Sequence, residues 1–357
     1  MAHGITLIDK MAHVGGSHAI WHAGETRDRL TEVAANAPRE TFAAAAGLDF
    51  KLEKVQLECE GRPVSDVYGI RIIGESDPFG RCSVGSVYQL LQPSDLLDIG
   101  DSIIQRDPTA IRDTGGTLFG KRKAYLNLRL GGSLGVERNG RARSAFGSGV
   151  DTSIPYLLLS TTFDGSQRSV VCRSVVRTVC NNTLNFAINS GSAVWVRHTG
   201  AQHARIGEAL DTLLSELDAG FATNYEELQA LADTPLTRKE AAGFFAELMT
   251  GSDNPEKAAE IIAKAKESSP RKFRTFEDTG AALLNLFEQG KGNFGQDAYD
   301  CLNAVTEFVD HHKQRIRKFR GKNAAMRLDA QLDYSQWGDG ADMKRTAHSK
   351  LLIRARR

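Results

Sequence analysis

Cationic side chains at regular spacing carry the clearest chemistry in this sequence. Arg173 and Arg177 stand four residues apart in a run rich in Val, Ser and Thr. Side chains alternate along a strand, so the two share a face. Lys121, Lys123 and Arg129 share parity in a second strand-like run, and Tyr125 has the same parity. If the two strands are neighbours, the sheet presents a stripe of cations. Such a stripe holds phosphates with little sequence preference, and the Tyr125 ring can stack on a base. Arg141 and Arg143 follow in a Gly-rich stretch, and Arg197-His198 close a short apolar run. The competing expectation is a solvated sheet face balanced by acids elsewhere.

Other chemistries are weaker. Cys172 or Cys180 with His198 could form a nucleophile and base, but a Cys flanked by Val on a strand is ordinarily buried and inert. Asp113, Asp151 and Asp164 fall near strand ends and could hold Mg²⁺ for a nuclease. They lack a recognisable spacing, and turn aspartates explain them as well. The stretch Gly115–Lys121 is one residue short of a phosphate loop and has Arg122 where Ser or Thr should stand. His13, His18 and His22 lack an acid or Cys at ligand spacing. Cys59, Cys82, Cys172, Cys180 and Cys301 are odd in number with no CxxC pair, which predicts reduced thiols. The sequence therefore assigns no catalytic residue, metal or cofactor, and leaves the question of enzymatic activity open.

The elements that must position these residues change character along the chain. Arg39–Gly47 predicts a short Ala-rich helix. Strands are predicted at Lys51–Cys59, Val67–Ile73 and Arg81–Gln89, with turns at Gly61-Arg62-Pro63 and Asp77-Pro78-Phe79-Gly80. A helix follows from Ser94-Asp95 to Gln105. Strands return from Ala110 to Thr178, punctuated at Thr114-Gly115-Gly116. Ile154–Leu159 and Gln167–Val179 flank the turn Asp164-Gly165-Ser166. Gly131 to Gly149 reads as a mobile basic loop or hairpin tip. Asn181, Asn182 and Thr183 end the strand and cap a helix expected from Leu184.

From about Ala201 the period becomes helical. Ile206, Leu210, Leu213, Leu214, Leu217 and Phe221 mark one apolar face. Thr237 with Glu240 makes a capping box, and Asn254-Pro255 starts another helix. Helices are also predicted at Phe276–Gln289, at Gln296–Phe319 and near Met343–Arg357. The expected class is α+β: a β-rich core over residues 1–200, then a helical domain over 201–357 with a basic tail.

The net charge of +1 hides a division. Lys121 to Arg143 has seven Lys or Arg against one acid, and residues 311–357 have 13 bases against four acids. Residues 206–310 carry 20 acids against nine bases. That asymmetry predicts either polyanion binding or charge-complementary assembly. No signal peptide or membrane-length apolar run is legible, so a cytoplasmic protein without membrane contact is expected.

The segments PYLLLSTTFDGS, VVRTVCNNTLNFAI and VRHTG resemble the phage/plasmid-like family known as domain of unknown function 932. WHAGE, AGLDF, VGSVYQLLQPSDL and NAVTEFVDHH extend the resemblance over almost the whole chain, although Ile20 stands where that family has Pro. The resemblance implies a genetic setting in mobile elements and no settled activity. Together with the cations, it predicts a homo-oligomer that binds nucleic acid, chiefly single-stranded DNA, as an annealing-type recombination accessory. Two alternatives stay open: an interaction protein that captures a host protein in a defence conflict, and a metal-dependent nuclease.

Overall fold

The structure, a computed structural model, describes residues 9–17, 30–79, 83–178, 183–185, 193–196, 198, 211–212, 215–312 and 333–356, with backbone alone at 183–185, 193–196 and 217–218. The chain opens with β1 (Met11–Val14), β2 (Leu30–Val33) and α1 (Arg39–Ala46). Gly47 ends α1 in the left-handed conformation, as predicted. A separate hairpin follows, β3 (Leu52–Cys59) and β4 (Arg62–Ile72). Its turn is Glu60-Gly61, both at positive φ, so Arg62-Pro63 already belong to β4 rather than to the turn. No strand forms at 83–89, where Val84 makes only an isolated bridge to Tyr68.

Helix α2 (Pro93–Arg106) starts from Gln92, whose side chain and that of Asp95 form a reciprocal cap. Then come β5 (Ile111–Leu118), β6 (Lys123–Arg129), β7 (Leu134–Glu137), α3 (Gly140–Ala145), β8 (Val150–Thr162), β9 (Ser169–Arg177), β10 (Thr183–Asn185) and β11 (Ala193–Val196). Two expectations change here. Gly115 and Gly116 sit inside β5, because Phe42 and the Lys10 carbonyl approach within 3 Å of where their Cβ atoms would be. Thr183–Asn185 pairs with Val176–Ser174 as a strand and does not start a helix.

Among the described residues, nine strands join one sheet in the order β10-β9-β8-β6-β5-β1-β2, with β11 also on β9 and β7 on β8. All pairs are antiparallel except β1–β2. Both faces are covered. Leu126, Leu128, Leu157, Leu159, Val171 and Val175 point one way, into a core shared with α1, α2 and the helical half. Tyr125, Tyr156, Leu158, Val170 and Cys172 point the other way, towards Trp337.

The C-terminal half is helical: α4 (Leu217–Ala232), α5 (Arg238–Thr250), α6 (Pro255–Ser268), α7 (Pro270–Gln289), α8 (Ala298–Glu307) and α9 (Asp339–Ala355). The caps at Thr237-Glu240 and Asn254 form as predicted. Helix α8 runs on into a π-helical turn, Phe308–His312, and residues 313–319 of the expected long helix lie outside the described residues. The architecture is α+β.

Gly100 brings α2 onto the sheet, since a Cβ there would lie 2.6 Å from Leu126 Cδ2. Gly100→Val should therefore lower stability by about 1–3 kcal/mol in urea unfolding. An unchanged midpoint would mean that α2 does not press on β6.

Candidate functional site

A dense cluster of charge lies inside the molecule. On β8, residues of odd number face the helical half, and Asp151 continues that parity. Arg177 ends β9 on the same face, opposite Ser153. Beyond β7, Arg138 keeps the inward parity of Val136. These side chains meet Asp297 and Asp300 at the start of α8, and all five are buried.

The geometry is that of one network. Arg177 Nε donates to Asp151 Oδ2 at 2.7 Å. Its other nitrogens donate to the carbonyls of Lys291 and Gly292 (3.0 and 2.7 Å) and to Asn293 Oδ1 (3.1 Å). Arg138 Nη2 donates to Asp297 Oδ2 at 2.9 Å and Asp300 Oδ1 at 2.7 Å, and its Nη1 lies 3.5 Å from Asp151 Oδ2. The Tyr299 ring faces both guanidiniums, at 4.8 Å from Arg138 and 5.4 Å from Arg177. Asp297 also caps α8 by accepting from the Asp300 amide at 2.8 Å.

Three carboxylates here face two guanidiniums, so one surplus negative charge is buried. Burial opposes the charge on Arg138, but Asp297 and Asp300 outweigh it and hold its pKa above the ordinary value. Burial and then Asp300 push Asp297 up to about 6, against the pull of Arg138.

The sheet's other cations are also engaged. Lys123 is buried and donates to Asp333 (2.6 Å) and Gln167 (2.7 Å), with its ammonium 4.1 Å over the Trp337 ring. Burial lowers its pKa despite Asp333. Tyr125 is buried beside the same Trp337. Arg173 is buried, donates to the Glu216 carbonyl at 3.3 Å and lies on the bare backbone of Gly220. Burial lowers its pKa against Glu216 and Glu227. His198 is buried, stacked 5.0 Å from Tyr88, and burial lowers its pKa as well.

A single cationic stripe therefore does not form. Strand β8 separates β6 from β9, and Arg173 pairs across Leu157 with Leu128, not with Arg129. Arg173 and Arg177 thus lie on the face covered by α4 and α8, while Lys123, Tyr125 and Arg129 lie on the opposite face, where Asp333 and Trp337 meet the sheet. Lys121 is half-buried in the turn after β5, its ammonium 4.9 Å over the Phe50 ring, and Arg129 is half-exposed, 3.7 Å from Asp113. Arg141 and Arg143 are exposed on α3. Arg197 lies outside the described residues, as do His18, His22, Cys82 and Cys180.

The carboxylates expected for a nuclease do not converge. Asp113 sits at a bulge in β5, where it accepts from Tyr156 Oη at 3.0 Å and from Ser17. Asp151 belongs to the arginine network, and Asp164 makes its own turn by accepting from Ser166 N at 3.0 Å. Among the described residues no three His, Cys, Asp or Glu side chains gather as metal ligands. Cys172 and His198 do not meet either: Cys172 points to the Trp337 side, whereas His198 contacts Ser169 on the opposite face. Burial pushes the Cys172 thiol up to about 12, far from a nucleophile's range.

Arg138, Asp297, Tyr299 and Asp300 escaped the sequence-based expectations. Of the two expectations for Gly131–Gly149, a mobile loop or a hairpin tip, the second holds: Leu134–Glu137 pairs antiparallel with β8, and the tip that follows Arg138 carries the helix Gly140–Ala145. One signal was present: Asp297 before an apolar helical run is an N-cap pattern.

Fold and site together define an α+β protein whose sheet is riveted to a helical half through buried arginine–carboxylate pairs. The chain belongs to the family described as a domain of unknown function, DUF932, whose model matches residues 82–333, more than half of its length. No curated protein and no solved structure matches it. No helix among the described residues is long and apolar enough to cross a membrane.

Two outcomes check the network. Arg177→Met should lower stability by about 3–5 kcal/mol in guanidinium unfolding, because Asp151 then stays buried without its main partner. A solvated arginine would give a change within about 0.5 kcal/mol. Asp297 binds its proton more tightly folded than unfolded, since its pKa is about 6 against an ordinary 3.8. Its contribution is thus complete below pH 3.8 and is lost as pH rises through about 6, by roughly 3 kcal/mol. Asp297→Asn keeps the cap and should gain on the wild type by about that amount between pH 4 and 6.5. Parallel pH profiles would contradict this assignment.

Proposed function

We propose that this protein binds nucleic acid, as an oligomeric accessory that holds single-stranded DNA for a phage- or plasmid-like element. The observation that carries the reading is the partition of the cations. Lys123, Arg173 and Arg177 of the sheet are buried and hydrogen-bonded, whereas Arg141 and Arg143 project from α3 with no ion pair among the described residues. Helix α3 is held in place from beneath. Gln296 Nε2 donates to the Asn139 carbonyl at 2.7 Å, Phe146 packs on Phe294 at 6.3 Å, and Arg138 anchors the preceding turn. Two cations on a fixed support are what a phosphate backbone requires, since phosphate contacts position a strand without reading its bases. Lys121 and Arg129, both partly exposed, supply further charge on the same protein.

The expected behaviour is a binding constant for single-stranded DNA that falls steeply with salt, because each phosphate contact releases a counterion. Arg141→Gln with Arg143→Gln should reduce the slope of log K against log salt by roughly 1.4, at about 0.7 per contact. Fluorescence anisotropy with a labelled oligonucleotide measures both quantities. An interaction that is absent at low salt, or insensitive to salt, contradicts the proposal. Light scattering on the eluting protein tests the homo-oligomer.

A further inference from the structure

Residues 206–310 are acidic as a whole, yet one corner of them is not. Helix α6 ends at Ser268 and α7 begins at Pro270, with Ser269 alone between them. Around this corner stand Lys264, Lys266, Arg271, Lys272 and Arg274, with Glu267 the one acid from 264 to 274. All five cations are exposed, and none makes an ion pair among the described residues. Glu260 and Asp278 are each four residues from a cation, the spacing of helical pairs, yet no such pair forms.

On α6 the placement follows helix electrostatics, since Lys266 stands in its last turn, but on α7 it runs against them. A helix N-terminus carries positive partial charge and favours acids. Helix α7 has no acid in its first turn and carries three cations in its first five residues. Local preference violated on the surface, with no compensating partner, is the pattern expected where function selects the charge. Two rings lie among the cations. Lys266 Nζ is 5.7 Å from the Phe273 ring and Lys272 Nζ is 5.6 Å from that of Phe276, both rings half-buried.

We infer that the α6–α7 corner is a second phosphate-binding surface, which takes the backbone of the same nucleic acid. This deepens the function proposed above and rests on it. A membrane surface fits less well, because interfacial binding needs apolar side chains that enter the bilayer. The exposed large hydrophobics among the described residues, Ile73, Val87 and Ile353, are elsewhere. Partly open rings beside cations instead match single-strand binding, where bases stack and phosphates pair.

The position adds a length requirement. The C-terminal end of α7 adjoins the segment 290–297 that supports α3, while the corner is at its other end. Twenty residues at 1.5 Å each make α7 about 30 Å long, so the two cationic surfaces stand near its opposite ends. A strand long enough to reach both gains avidity, whereas a short one occupies either alone.

The test uses the full chain, with labelled oligothymidylates of about 6 and about 30 nucleotides, at about 50 and 200 mM salt. The variant replaces Lys264, Lys266, Arg271, Lys272 and Arg274 by Gln, and Arg141→Gln/Arg143→Gln is its counterpart. Removing Arg271, Lys272 and Arg274 relieves the N-terminus of α7, whereas removing Lys266 takes a favourable cation from the last turn of α6, so the two effects offset and the corner variant should melt close to the wild type. It should bind the long oligonucleotide at least about ten-fold more weakly at low salt, and lose most of the gain that length confers. If the wild type and the corner variant bind alike while the α3 variant fails, the corner inference is overturned and the reading of α3 survives. If the wild type binds neither oligonucleotide, both fall. If polyglutamate competes as well as oligothymidylate at equal charge, an acidic protein replaces nucleic acid as the occupant, and the inference is overturned in that form.

Discussion

Asp151 holds the molecule together at the point where its two halves meet. It is fully buried, and its charge is met by Arg177 from β9 and by Arg138 from the end of β7. Those arginines in turn fasten the start of α8 and the carbonyls of residues 291 and 292. A buried ion pair adds little net stability over apolar packing, because desolvation offsets the Coulombic gain. Its effect is on geometry. Once the charges are inside, any arrangement that separates sheet from helices leaves a carboxylate or guanidinium without a partner in a low dielectric. The same logic recurs at Lys344 and Asp310, both fully buried and 2.8 Å apart, which tie α9 to the π-helical turn after α8.

That constraint explains which of the sheet's cations are withdrawn from the surface. The sheet's arginines are long enough to reach the helical half, and they do so. Among the described residues, the exposed cations include those of α3, standing on the segment before α8, and those of the corner between α6 and α7. The acidic balance of the helical half is partly internal, since Asp297 and Asp300 are turned inward. A sum of charges along the sequence therefore misjudges the surface in both directions. It overstates the basic character of the sheet and hides the basic corner of the helices.

Local patterns in the sequence were reliable where the physics is local. The α+β order, the capping boxes at Thr237, the Asn254 start and the Gly47 stop depend on residues three or four apart, and they appear as expected. Failures came where a distant residue decides. Gly115 and Gly116 read as punctuation of the strand run, but Phe42 and Lys10 crowd that backbone, so glycine is needed within a strand. Thr183–Asn185 read as a helix start, but β9 offered a partner edge. Arg173 and Arg177 were correctly placed on one face of a strand. That the face was the buried one depended on the strand order, which no short-range pattern carries.

Under the proposed function, buried cations build the protein and exposed ones bind nucleic acid. Hydrogen exchange of the full chain, with and without single-stranded DNA, tests that division most directly. The account predicts slowed exchange at residues 140–146 and 264–274 on adding DNA, with β9 and α8 unchanged. Altered exchange across β9 and α8, with none at the exposed helices, would contradict it, because the ligand would then be acting on the arginines that join sheet to helices.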